Sequence, residues 1–159
     1  MKLTKSFEDH IGEFCKIILP IPEETYYGNP DSSLAVCTLS SIKLLKQIAN
    51  SDHISRVSIV GRLLSENKGI DQIVRHVNEN KKIKTIIICG KEVWGHKAGH
   101  SLFQLHKNGI DDKGRIIEST SPDPYLTINQ NQISYFQKRI ELVNMINETS
   151  FDKIKQKII

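Results

Sequence analysis

Three times between Ser33 and Gly109 an apolar run of strand length is followed by a segment of helical periodicity. That alternation limits the possible folds more than any other feature. The runs are "SLAVCTL" from Ser33, "RVSIVG" from Arg56 and "IKTIIICG" from Ile83. None alternates apolar with polar residues, which is how strands covered on both faces read. The helices are "SSIKLLKQIANS", with Ser40 or Ser41 as N-cap, "SENKGIDQIVRHVNENKK", opened by Ser65, and "KAGHSLFQLHKNG", stopped at Gly109. Strand–helix units in series predict an α/β fold, a Rossmann-like parallel sheet with helices on both faces. "GRIIEST" (114–120) is expected to be a fourth strand, and "NQNQISYFQKRIELVNMI" (129–146) one long C-terminal helix, its core face at Ile133, Phe136, Ile140, Val143, Met145 and Ile146. A short helix in "EDHIGEFCKIILPIP" (8–22) is expected ahead of the turn formers of "YYGNPDS".

The chain has 159 residues, a length that suits a single domain over 1–159. It divides into an N-terminal extension (1–27), a core (28–146) and a tail (147–159). The net charge of +4 comes from scattered lysines with acidic neighbours, a pattern that argues solubility and no nucleic-acid partner. Three cysteines, Cys15, Cys37 and Cys89, form no Cys-x-x-Cys pair. A disulfide framework or cysteine zinc site is not expected, and Cys37 and Cys89 are expected as buried thiols in a cytoplasmic protein. The first ten residues are polar and charged, and the longest apolar run, Ile86–Cys89, is far too short to span a bilayer. No signal peptide or membrane insertion is therefore expected.

In an open parallel sheet ligands bind beyond the carboxyl ends of the strands. Here those ends are expected at Thr38–Ser41, Gly61–Gly69, Gly90–Gly99 and Glu118–Tyr125. Their small or hydrogen-bonding residues, Thr38, Ser40, Ser41, Ser65, Glu66, Asn67, Gly90, Glu92, Gly95 and Gly99, and the amides of three helix N-termini, suit a large, flat ligand with polar edges. Neither a dinucleotide fingerprint nor a phosphate loop is present. His96 stands out because Gly95 and Gly99 flank it and let a large body approach the backbone. His100 lies one helical turn on, a spacing that also fits zinc or nickel, although no third ligand follows. Trp94 either covers a ligand face or closes the core.

The blocks "GNPDSSLAVCTLSS", "SENKGIDQIV", "CGKEVWGHKAGHSLFQLHKNGIDDKGRII" and "FQKRIELVNMI" resemble the A subunit of the archaeal tetrahydromethanopterin S-methyltransferase, in order and with similar spacing. The resemblance implies a corrinoid carrier: a cobamide (cobalamin or 5-hydroxybenzimidazolyl cobamide) whose cobalt takes His96 as lower axial ligand. The cobalt would relay a methyl group from methyl-tetrahydromethanopterin to coenzyme M, with donor and acceptor sites on methyltransferase partner subunits. A ligating imidazole needs a partner for its other ring nitrogen, and Glu92 is the candidate. Pro124 in the 118–125 loop and His100 would complete the pocket. This sequence departs from the family at His100, where glutamine is usual, at "GRLLSEN" and at "STSPDPYL", and the C-terminal membrane helix of full-length family members is not expected in it. The alternatives are a corrinoid storage or delivery protein and a small zinc- or nickel-binding α/β protein using His96 and His100.

Overall fold

A computed structural model describes residues 24–159. The N-terminal helix expected within 8–22, and Cys15, lie outside the described residues. The element order is β1 (Tyr26–Tyr27), β2 (Leu34–Cys37), α1 (Ile42–Ala49), a 3-10 turn (Asp52–Arg56), β3 (Ile59–Gly61), α2 (Lys68–Glu79), β4 (Thr85–Gly90), α3 (Ala98–Asn108), α4 (Gln130–Arg139), β5 (Glu141–Ile146) and α5 (Phe151–Lys155). The strands form one sheet in the order β1-β3-β2-β4-β5. β3, β2 and β4 run parallel, as their apolar runs predicted, and β5 lies parallel beside β4. β1 adds an antiparallel edge, Tyr26 opposite Val60.

The sheet is buried between two helical layers. Ala35, Cys37, Ile86 and Ile88 point to one face, covered by α2, α3 and α4 through Ile70, Val74, Leu102, Leu105, Ile133 and Phe136. Val36, Val60, Ile87 and Cys89 point to the other, covered by α1 and by α5 with the residues after it, through Leu44, Leu45, Ile48, Ile154 and Ile158. Alternate residues of β2 and β4 therefore enter different cores, so Leu34–Cys37 and Ile86–Cys89 are apolar throughout.

Two expectations are corrected. The segment 129–146 is not one helix: α4 ends at Arg139 and Ile140 turns into β5. β5 is the fourth parallel strand, in register with β4 from Glu141 opposite Thr85 to Ile146 opposite Gly90. Its Leu142 and Ile146 pack on one core and Val143 and Met145 on the other. Those residues satisfy a helical pattern and an edge strand that packs partly on both faces equally, and backbone pairing with β4 decides. "GRIIEST" forms no strand; Arg115 and Ile116 make only isolated bridges, to Tyr125 and Ile110.

The chain leaves β2 toward β3 on one side, whereas β4 connects to β5 on the other. The crevice of a doubly wound sheet opens where the winding reverses, here above the carboxyl ends of β2 and β4. Among the described residues no helix is long and apolar enough to cross a membrane.

Cys37 and Cys89 are buried free thiols. Burial pushes the Cys37 thiol up to about 12 and raises that of Cys89 as well. The thiolate is the reactive form. In a Cys15→Ser background, iodoacetamide at about pH 8 is expected to spare both thiols in the native protein and modify both in denaturant, as read by intact mass. Modification of either under native conditions would contradict the packing described.

Candidate functional site

Loops from β2 and β4 meet at the crevice and are laced together by backbone contacts. The Ser40 hydroxyl and amide both donate to the Lys91 carbonyl, at 2.7 and 3.1 Å, and the Lys91 amide donates to the Ser41 hydroxyl at 2.8 Å. Ser41 occupies the N-cap position of α1 but caps no helix amide with its side chain. Thr38 is fully buried, and its amide donates to the Gly61 carbonyl at 2.9 Å. Gly90 makes the close approach possible. Its φ is +78°, and a Cβ there would sit 2.2 Å from the Thr38 carbonyl oxygen. The Ser40 and Ser41 side chains of the β2 loop thus hold the loops together.

The helix N-termini are likewise occupied. At α2 the Asn67 side chain accepts from the Lys68 amide at 2.7 Å and the Ser65 hydroxyl from Gly69 at 2.8 Å. At α3 the Glu92 carboxylate accepts from Gly99 and His100, at 3.0 and 2.8 Å. A carboxylate at a helix N-terminus satisfies orphan amides and complements the dipole. Gly99 is a packing glycine: an added Cβ would lie 2.9 Å from Glu92 and 3.0 to 3.1 Å from Ile146 and Leu39. At Gly95 a Cβ would meet nothing within 4 Å, so of the two glycines flanking His96 only this one faces open space.

His96 sits in the turn ahead of α3, its side chain 55% exposed. Its ring partner is Glu66, not Glu92 as expected from the sequence. The His96 Nδ1 lies 2.8 Å from Glu66 Oε2. Glu92 is committed to capping α3. The Glu66 side chain is only 2% exposed, and its other oxygen accepts from the Asp123 amide at 3.0 Å. An ionised carboxylate only accepts hydrogen bonds, so opposite ionised Glu66 the proton sits on Nδ1, and in the neutral form of the ring the lone pair is left on Nε2. Nε2 has no hydrogen-bond partner among the described residues.

The 118–125 loop is not a strand end, yet it belongs to the site. The Asn67 side chain donates to the Asp123 carbonyl and carboxylate. The buried Ser101 hydroxyl lies 2.6 Å from those of both Ser119 and Ser121. His100 accepts from the Thr120 amide through Nε2 at 3.2 Å. That contact directs the His100 ring to the loop and away from shared metal ligation with His96. Among the described residues no three or more His, Cys, Asp or Glu side chains are arranged to hold a metal ion. Pro124 is buried, and its carbonyl accepts from Ile116, so it supports the loop. Trp94 is 89% exposed and closes no core. The buried Glu66, rather than any helix amide, is what the spacing "SEN" concealed: its role needs His96 brought from thirty residues away.

The model for the MtrA family, the A subunit of tetrahydromethanopterin S-methyltransferase, matches residues 19–159. The chain belongs to that family. It is 38% identical to a protein of Methanosarcina barkeri provisionally named as the A subunit of the methyltransferase Mtx, over 85% of this chain and 66% of the relative. It is also 38% identical to the first of two tetrahydromethanopterin S-methyltransferase A subunits of Methanothermobacter thermautotrophicus, over 82% of this chain and 54% of the relative. The second A subunit of the same organism is 32% identical over 87% of this chain and 78% of its own length. The chain thus spans between about half and two thirds of the length of the first two relatives.

Because Glu92 accepts from two first-turn amides of α3, Glu92→Ala is expected to lower stability by about 1–2 kcal/mol, measured by urea denaturation. An unchanged midpoint would show that the capping contacts carry no net stability.

Proposed function

We propose that this chain is a corrinoid-binding methyl carrier, the cobamide-holding member of a methyltransferase whose donor and acceptor sites lie on partner subunits. The observation that carries the reading is the Glu66–His96 pair. A buried carboxylate holds Nδ1 at 2.8 Å while the exposed ring leaves Nε2 without a partner. Metal-ligating histidines characteristically have their other ring nitrogen fixed by a carboxylate in this way. A corrin supplies four nitrogen donors to its cobalt, so a single protein imidazole suffices and a cluster of ligands is not needed. The donor set therefore fits the group. Membership of the family, and relatives named as methyltransferase subunits, support the same reading.

When bound, the cobamide would supply a cobalt centre able to accept and donate a methyl group. The chain's own residues do the rest. His96 would hold the cobalt through Nε2. Glu66 fixes the ring's tautomer and orientation, and the Asp123 amide fixes Glu66. Gly95 leaves room for a broad, flat body beside the imidazole. Trp94, exposed one residue earlier, offers an aromatic face to that body or to a docked partner.

The test is a cobalamin titration followed by visible spectroscopy with wild type, His96→Ala and Glu66→Gln side by side. Wild type is expected to bind and shift the cobalt bands. His96→Ala is expected to lose the shift, and Glu66→Gln to keep it with affinity weakened about tenfold to a hundredfold. Identical spectra for wild type and His96→Ala would remove His96 as the ligand, and absence of binding by wild type would remove the carrier reading.

A further inference from the structure

We propose that Asn67 and Asp123 are positioning residues for His96: a latch between them aims the backbone amide that holds Glu66, and through Glu66 it fixes the imidazole. The proposal deepens the carrier reading and rests on it for what the oriented ring then does. Three successive residues at the entry to α2 divide the work. Ser65 accepts from the Gly69 amide at 2.8 Å, Glu66 reaches His96, and Asn67 reaches the 118–125 loop. A side-chain amide is both acceptor and donor, and Asn67 uses both. Its oxygen accepts from the Lys68 amide at 2.7 Å at the start of α2. Its nitrogen donates to the Asp123 carbonyl at 3.2 Å and to the Asp123 carboxylate at 3.1 Å.

The latch matters because of what the same residue does with its amide. The Glu66 side chain is 2% exposed, and a carboxylate so far from water needs hydrogen bonds in place of its hydration. One oxygen faces His96 Nδ1 at 2.8 Å, and the other accepts from the Asp123 amide at 3.0 Å. Both oxygens belong to one planar group, so the direction of the Asp123 amide sets the angle at which Glu66 meets the imidazole. Turning that peptide away either leaves a buried oxygen unpaired or rotates the carboxylate off Nδ1. The loop is anchored independently on each side of the latch. Ser101 lies 2.6 Å from both Ser119 and Ser121, and the Asp71 carboxylate accepts from the Thr127 and Ile128 amides. Loss of the latch therefore frees the peptide at 123 without releasing the loop.

The experiment reads the His96 ring by long-range proton–nitrogen NMR in the full chain without cobamide, at about pH 9, where an ordinary histidine is neutral. Urea denaturation runs in parallel. Wild type is expected to hold the Nδ1–H tautomer over the Nε2–H tautomer by about tenfold or more. Asn67→Ser keeps a capping oxygen but is one bond too short to reach Asp123. Asn67→Asp keeps the cap and sets two carboxylates against each other. Each is expected to lower the tautomer ratio about threefold or more, with a urea midpoint near that of wild type. Adding Asp123→Asn to Asn67→Asp reverses the direction of the side-chain bond and is expected to restore the ratio. A purely structural contact would move the midpoint and leave the ring unchanged. The proposal is overturned by a wild-type ring without the Nδ1–H preference, by an unchanged ratio in Asn67→Ser, or by a ratio in Asn67→Asp that Asp123→Asn does not restore. If Asn67→Asp does not fold, Asn67→Ser decides alone, and loss of folding in both variants overturns the proposal. Because the ring is read without cobamide, a failure of cobalamin binding removes the carrier reading and not this one.

Discussion

The arrangement of the site depends on one buried carboxylate. Glu66 is almost wholly removed from water, and a charge so placed is tolerable only when hydrogen bonds replace its hydration. His96 supplies one partner and the Asp123 amide the other. Because the two partners sit on separate segments, satisfying Glu66 joins the entry to α2 to the turn before α3 and to the loop before α4. The orientation of an otherwise exposed imidazole is thereby set from below, while its outer nitrogen faces solvent.

The sheet provides the place for this pair, and the loops provide its rigidity. Reversal of winding at β2 and β4 opens the crevice, and the Ser40, Ser41 and Lys91 contacts close its base. Most polar groups at the carboxyl ends are spent on such internal contacts: Glu92 on the amides of α3, Asn67 and Ser65 on those of α2. What remains for a ligand is a directed nitrogen, an open glycine and an exposed indole. An anion seeking free helix amides finds few.

Much of this was legible in the chain. The runs that became β2, β3 and β4 are apolar without alternation because both faces of the sheet are covered. The helices between them show an apolar stripe because each covers only one face. His96 was legible from its flanking glycines and its position after a strand. The fourth strand was not. Between Asn129 and Ile146 the apolar residues fit a continuous helix, and local periodicity holds no record of the hydrogen bonds that β4 offers. The function of Gly99 was misjudged for a related reason: flexibility and close packing demand the same residue.

The amino-acid sequence by itself determined the α/β alternation, the two apolar faces of the central strands, the buried thiols and the histidine at the carboxyl end of β4. Those properties follow from local hydrophobic pattern and from turn chemistry. Only the tertiary structure decided that β5 completes the sheet, that Glu66 and not Glu92 holds His96, and that the 118–125 loop closes around them. The reason is physical. Each of those outcomes is a contact between groups about thirty to more than fifty residues apart, and such contacts are selected by the folded chain's need to satisfy buried polar groups and open strand edges, which no local spacing records.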